Sequence, residues 1–319
     1  MLFRHWKLPA TSLAALVAIV SGTMLANTRT KVYPQSAQQK RGGPIHIQTN
    51  LVNILASVID SHGQPVADLT QDEFILTEEG VSQKIERFEA DTNMPLDLAL
   101  MVDSSMSALK ELKFETEAAA HFIRQVVRPN DTLAVFEFSE SVSELSDFSS
   151  DIPRLQSAAR HIAPGTGTSI YDAVVLASRE LRRRPSGRRR AIVLVTDGGE
   201  TTSISKFEET RRSAIASDAL LYSIIIRPVK NEGGRNTAGE HALITITDST
   251  GGAQFVLDSV DQLDAMFDRI DRELRTQYLL GYYPNPAPPA GSDRHVNVEV
   301  KSGDLVRCRR EYFTSGTTD

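Results

Sequence analysis

Cysteine is almost missing from this chain: Cys308 stands alone in 319 residues. No intrachain disulfide can form, so the fold must be held by its apolar cores. The single thiol reads as a small buried residue on a strand. An excess of positive charge is missing too. The formal net charge of −6 argues against a general nucleic-acid binder. The one dense basic run, Arg182 to Arg190, reads as a solvated loop between a helix end and the next strand. Histidine is scarce, with seven in the chain, and none falls in the three loops that carry the chemistry described below. A nucleotide-binding phosphate loop is also lacking, because Gly165-Thr166-Gly167 is too short and has no following Gly-Lys.

What is present is an ordinary globular composition, 40% hydrophobic and 24% charged, with length for about two domains. Residues 1–26 differ from the rest. Arg4 and Lys7 precede the apolar segment Leu13 to Val20, and no acid occurs. This reads as an export signal, placing the protein in the periplasm, outside the cell, or anchored facing away from the cytoplasm. Leu8 to Ala26 is just long enough to cross a bilayer, so an uncleaved anchor is the other reading and the one membrane contact expected. Residues 27–44 are polar and aperiodic, a flexible linker.

Residues 45–93 have the texture of short strands. Val52, Ile54, Ala56 and Val58 alternate, Asp60 to Gly63 makes a turn, and Phe74 to Leu76 and Lys84 to Phe88 flank a turn at Glu79-Gly80. Strand texture returns over 277–314, with Tyr278 to Tyr283, Val296 to Val300 and Val306 to Tyr312. Each flank is too short for a core of its own. One discontinuous β-sandwich, 45–93 plus 277–314, is the economical solution. Between them, over 94–276, strands and helices alternate, which predicts an α/β fold: a doubly wound, mostly parallel sheet inserted into that sandwich.

The inserted unit begins with an apolar run, Leu96 to Val102, that stops at Asp103 and then offers Ser105 and Ser107. A run of this kind suits a parallel strand covered on both faces. A second run, Ala191 to Thr196, ends at Asp197, Gly198 and Gly199. Between them Pro164 to Ala173 is a glycine-broken loop leading into a helix, with Thr166 and Thr168 as candidate hydroxyl donors. Ligands collect beyond the carboxyl ends of such strands. Carboxylate and hydroxyl oxygens without His or Cys suit a hard cation such as Mg²⁺. Asp172, in the opening turn of the helix, reads as a partner of the helix dipole rather than a ligand.

Asp-x-Ser-x-Ser at Asp103, Ser105 and Ser107, Gly-Thr-x-x-Tyr-Asp-Ala at Gly167 to Ala173, and Thr-Asp-Gly at Thr196 to Gly198 resemble a von Willebrand factor type A domain. That family assembles a metal-ion-dependent adhesion site from these three loops. The resemblance implies Mg²⁺ or Mn²⁺ held directly by Ser105 and Ser107, largely through water by Asp103 and Asp197, and by Thr168 as a state-dependent ligand. Thr168 takes that role over Thr166 because it directly precedes Ser-Ile-Tyr-Asp-Ala. Met106 is a departure, standing where close relatives usually carry Gly. The flanking motifs Asp60 to Val66, Leu69 to Phe74 and Gln277 to Pro284 are similar to an exported bacterial group of such proteins, abundant in acidobacteria.

The resemblance implies a binding module and no catalysis: an acidic residue of a partner protein completes the metal's shell, and the helix near Val260 to Thr276 shifts between affinity states. Two rivals are a structural envelope protein whose site is degenerate, with Met106 as the hint, and a Mg²⁺-dependent hydrolase. A hydrolase would want a nucleophilic carboxylate with a second acid or an oriented base close by, and position 105 is Ser.

Overall fold

The computed structural model describes residues 51–90, 94–106, 112–226 and 237–314. The expected export signal, the linker and Ser107 lie outside them. All described residues belong to one compact unit, Gln48–Asp319.

The chain enters through β1 (Val52–Ile59), β2 (Phe74–Glu78), β3 (Val81–Ser82) and β4 (Ile85–Glu89). Alternation in β1 puts Ile54, Ala56 and Val58 on one face, all fully buried. β2 turns back into β3 through Glu79 and Gly80, at φ of 49° and 76°, the conformation that a two-residue hairpin turn requires. The strand expected at Lys84 to Phe88 forms, but it does not pair with β2. As β4 it leaves for a different sheet.

Twelve elements alternate next: β5 (Leu96–Asp103), α1 (Leu112–Val126), β6 (Thr132–Phe138), β7 (Val142–Ser149), α2 (Ile152–Arg160), α3 (Ile170–Arg182), β8 (Arg189–Thr196), α4 (Phe207–Ala216), β9 (Ala219–Ile226), α5 (Thr237–Thr250), β10 (Ala253–Leu257) and α6 (Leu263–Arg275). They build a six-stranded sheet of order β10-β9-β8-β5-β6-β7, parallel except for β7 at one edge. All of β5 is buried. Leu98, Leu100 and Val102 pack with Phe122 of α1 and Phe267 of α6, whose rings stack at 4.4 Å. Ala99 and Met101 pack on the opposite face, with Val174 of α3 and Leu243 of α5. Helices on both sides of the sheet explain why β5 has no polar alternation.

β11 (Gln277–Tyr282), β12 (Asp293–Val300), β13 (Leu305–Cys308) and β14 (Glu311–Phe313) close the chain. Two antiparallel sheets result, β13-β1-β11-β4 and β14-β12-β2-β3, which share a core of Ile54, Val58, Leu76, Tyr278, Leu280 and Val298. Each sheet takes strands from both flanks, so the sandwich is interrupted by the α/β unit as expected. Cys308 lies in its core, and burial pushes the thiol up to about 11.

Three expectations need correction. Val306 to Tyr312 is not one strand: the chain breaks at Arg309-Arg310 and passes from β13 in one sheet to β14 in the other. Two helices, α2 and α5, lie where the periodicity gave none. The run Arg182 to Arg190 is only in part the solvated loop expected: Arg182, Arg183, Pro185, Ser186 and Gly187 are exposed, but Arg184 and Arg188 to Arg190 are not. Arg189 is 3% exposed and bonds the carbonyls of Met94 and Leu274, while Arg184 and Arg188 reach the buried Asp97 at 3.2 and 2.8 Å. For Arg184 and Arg188 the physical reason is Asp97, a carboxylate inside the sheet that must be paired to stay charged there.

Candidate metal centre

In the six-stranded sheet β6 lies on one side of β5 and β8 on the other. The connections diverge there, which opens a crevice at the carboxyl ends of β5 and β8. Asp103 is the last residue of β5. Its Oδ1 accepts the backbone N–H of Ser105 at 2.9 Å, a tight Asx turn, and its Oδ2 accepts the Thr196 hydroxyl at 2.6 Å. The first loop is thereby tied to the end of β8.

The second loop joins through backbone. Ser105 forms a parallel bridge with Gly165, whose N–H donates to the Ser104 carbonyl at 2.7 Å. Only glycine fits there, since a Cβ would stand 2.2 Å from the Ser139 hydroxyl oxygen. The third loop then clamps the second. The Thr168 N–H donates to the Thr201 hydroxyl at 2.9 Å, and its carbonyl accepts N–H bonds from Thr201 and Thr202 at 2.9 and 3.2 Å. Asp197 Oδ1 accepts the Gly199 N–H at 3.0 Å, across a turn that holds Gly198 at φ 85°.

The structure therefore connects Asp103, Ser105, Thr168 and Asp197 through one hydrogen-bonded framework at the end of the sheet. Ser105 and Thr168 are buried and Asp197 is half-buried. Met106 is 58% exposed, so its side chain stands in solvent rather than in the core.

The electrostatics of Asp103 differ from those of four other buried acids. Asp97, Asp131, Glu78 and Glu273 are also buried, and each faces an arginine: Arg184 and Arg188, Arg275, Arg294 and Arg307 respectively. Asp103 is fully buried and has no cation partner among the described residues. Burial pushes its carboxyl up to about 6, the charge of Asp197 adds to the rise, and the hydrogen bonds from Thr196 and Ser105 oppose it. Among the described residues no cluster of three or more His, Cys, Asp or Glu exists. The donor set is two carboxylates with hydroxyls, which fits a hard divalent cation and does not fit a soft one.

Two acids that brace the site were not recognised as such from sequence. Asp172 does lie in the first turn of α3, but its carboxylate accepts the N–H groups of Ile204 and Ser205, both at 2.9 Å. Burial works against its charge, and these bonds still hold it below the usual aspartate range. Glu200 accepts from the Ser203 and Tyr171 N–H groups at 2.9 and 3.1 Å. Both fasten the loop after β8 to the start of α3. The one hint in the sequence was the crowding of Ser and Thr around two acids, which local turns produce equally well.

Residues 98–200 match the family model of the von Willebrand factor type A domain. Similar solved structures include BatB from Bacteroides thetaiotaomicron, 19% identical, covering 57% of this chain and 100% of that one, with a TM-score of 0.44. The von Willebrand domain of a type V pili tip protein from Porphyromonas gingivalis is 14% identical, covers 57% and 96%, and scores 0.46. A von Willebrand factor type A protein from Catenulispora acidiphila is 11% identical, covers 85% and 74%, and scores 0.49. No curated protein matches. By the sequence match over 98–200, and by the sheet and loops that those residues build, this chain carries a von Willebrand factor type A domain.

Proposed function

We propose that this protein is a metal-dependent protein-interaction module of the exported space. The observation that carries the reading is Asp103, the buried carboxylate that faces no arginine, set beside a second acid and two buried hydroxyl residues. A divalent cation is the partner that such a site calls for. Asp103, Ser105, Ser107, Thr168 and Asp197 would hold Mg²⁺ or Mn²⁺, with the two acids acting largely through water. The bound ion supplies a positive centre able to take a carboxylate oxygen from a partner protein. Neutral hydroxyls as direct ligands leave most of its charge for that oxygen.

The α/β unit over 94–276 presents this site, and the sandwich of 45–93 plus 277–314 carries it. Among the described residues no helix is long and apolar enough to cross a membrane. The export reading is carried by the composition of residues 1–26. Catalysis is disfavoured by the chemistry of the three loops, which offer no His or Cys as base or nucleophile.

The test is retention of exported proteins from the source cell on the immobilised chain in Mg²⁺ and in EDTA, for wild type, Asp197→Ala, and Ser105→Ala with Ser107→Ala. Retention that needs Mg²⁺ and is lost in both variants supports the reading. Retention unchanged in EDTA would falsify it and favour a structural role for the sandwich.

A further inference from the structure

On the edge of the parallel sheet opposite the candidate metal centre, a cleft of about 250 Å³ opens between the amino ends of β8 and β9 and the sandwich. Its floor is apolar. Leu55 of β1 and Leu279 of β11 are cross-strand partners, and both lie on the face turned away from the sandwich core that Ile54 and Leu280 fill. Its walls are cationic: Arg87, Arg188, Arg190 and Arg309 line it, against one acid, Asp218.

The bonds that these arginines already make decide what the cleft can take. Arg188 is committed to Asp97, Arg87 to Glu89, and Arg309 to Asp218. Arg190 donates only to neutral oxygens, the carbonyls of Ser217 and Arg184, both at 3.1 Å, and makes no ion pair among the described residues. Asp97 is moreover shared by two arginines. The cleft thus holds more positive charge than its acids balance. Its volume, just below the usual range of ligand pockets, suits a small ligand.

We infer that this cleft binds a small organic carboxylate. The carboxylate lies on the planar fork of Arg190, whose geometry matches two oxygens, and a short apolar body covers Leu55 and Leu279. The basic run thereby acquires a role that the metal centre does not use, at the joint between the two parts of the molecule.

Benzoate is the probe, with inorganic phosphate as the comparison. The full chain is titrated with each in EDTA, at ionic strength held constant with chloride, and thermal unfolding is followed. Benzoate is expected to give a saturable upward shift, and phosphate none. Arg190→Gln should weaken benzoate at least about tenfold. Asp218→Asn should strengthen it severalfold by freeing Arg309, a change of opposite sign that stands even if Arg190→Gln does not fold. Asp197→Ala should leave binding unchanged, which separates this site from the metal reading. No saturable shift with benzoate, an equal shift with phosphate, or Asp218→Asn binding as wild type would each overturn the inference.

Discussion

Replacing Asp103 by Asn should make the metal-free protein more stable, not less. The carboxyl is raised from 3.8 to about 6 by burial, so the folded state holds its proton more tightly than the unfolded chain does. Below the unfolded value both states are protonated and the group is neutral in its effect. As pH rises from about 3.8 to about 6 the unfolded chain gives up the proton first, and stability falls. Above about 6 the ionised form disfavours the fold by roughly 3 kcal/mol, at 1.36 kcal/mol per unit. Asparagine keeps the shape and removes that cost. Its side-chain oxygen still accepts the Ser105 N–H, but its amide cannot accept the Thr196 hydroxyl, a loss of about 1 kcal/mol. The net gain in EDTA at neutral pH is therefore about 1–2 kcal/mol. Near pH 4 the sign reverses, because only the lost hydrogen bond remains. Urea melts of both proteins across this pH range in EDTA measure the difference directly. Stabilisation of wild type by Mg²⁺, about 2.7 kcal/mol at 100 times the dissociation constant, should vanish in the variant. An Asp103→Asn variant less stable than wild type at neutral pH without metal would refute the reasoning.

Three further outcomes are expected. Gly165→Ala should cost about 1–3 kcal/mol by overpacking, because the new Cβ meets the Ser139 side chain, and adding Ser139→Gly should restore most of it in a double-mutant cycle read by denaturant melts. Arg307→Met should cost about 3–5 kcal/mol by leaving Glu273 buried without its cation, and Glu273→Met in the same chain should recover much of that. Cys308 should resist an aromatic disulfide reagent at neutral pH in the native protein and react at once in guanidinium, since burial both shields the thiol and pushes it up to about 11.

The strands of the parallel sheet and the loops around Asp103, Thr168 and Asp197 were legible because their signals are local: an apolar run that stops at an acid, a glycine pair before a helix. Features set by partners far away in the chain were not. α5 contains Ile244-Thr245-Ile246-Thr247, a β-branched alternation that reads as a strand, and tertiary packing of Leu243 and Ile246 against the sheet overrides it. α2 had readable marks in Asp151, which caps it, and Pro153 in its first turn, but only Leu155 and Ala159 are buried on it, too few for a clear period. Arg184 and Arg188 looked solvated because nothing nearby in sequence shows the buried Asp97 that they serve, and the carbonyls of Met94 and Leu274 that hold Arg189 are equally distant. The break at Arg309-Arg310 is equally silent, as both halves of the segment have strand character and only the pairing partners differ.

β1 sits between β11 and β13, with Val52 opposite Tyr282 and Ala56 opposite both Tyr278 and Cys308. A strand near the front of the chain therefore has no neighbour until everything through the α/β unit has been made. As the polypeptide emerges, β1 waits without its strand partners while the β2–β3 hairpin and the parallel sheet assemble from nearer contacts. Once that sheet closes, Arg188, just before β8, holds Asp97 of β5, and Arg189, the first residue of β8, reaches Gln277 of β11. The long loop that β1 and β11 would have to close is then already closed. Assembly order is thus written into the strand pairing, and a lesion that delays the inserted unit leaves an exposed strand edge during folding, the condition under which chains pair with one another instead of with themselves.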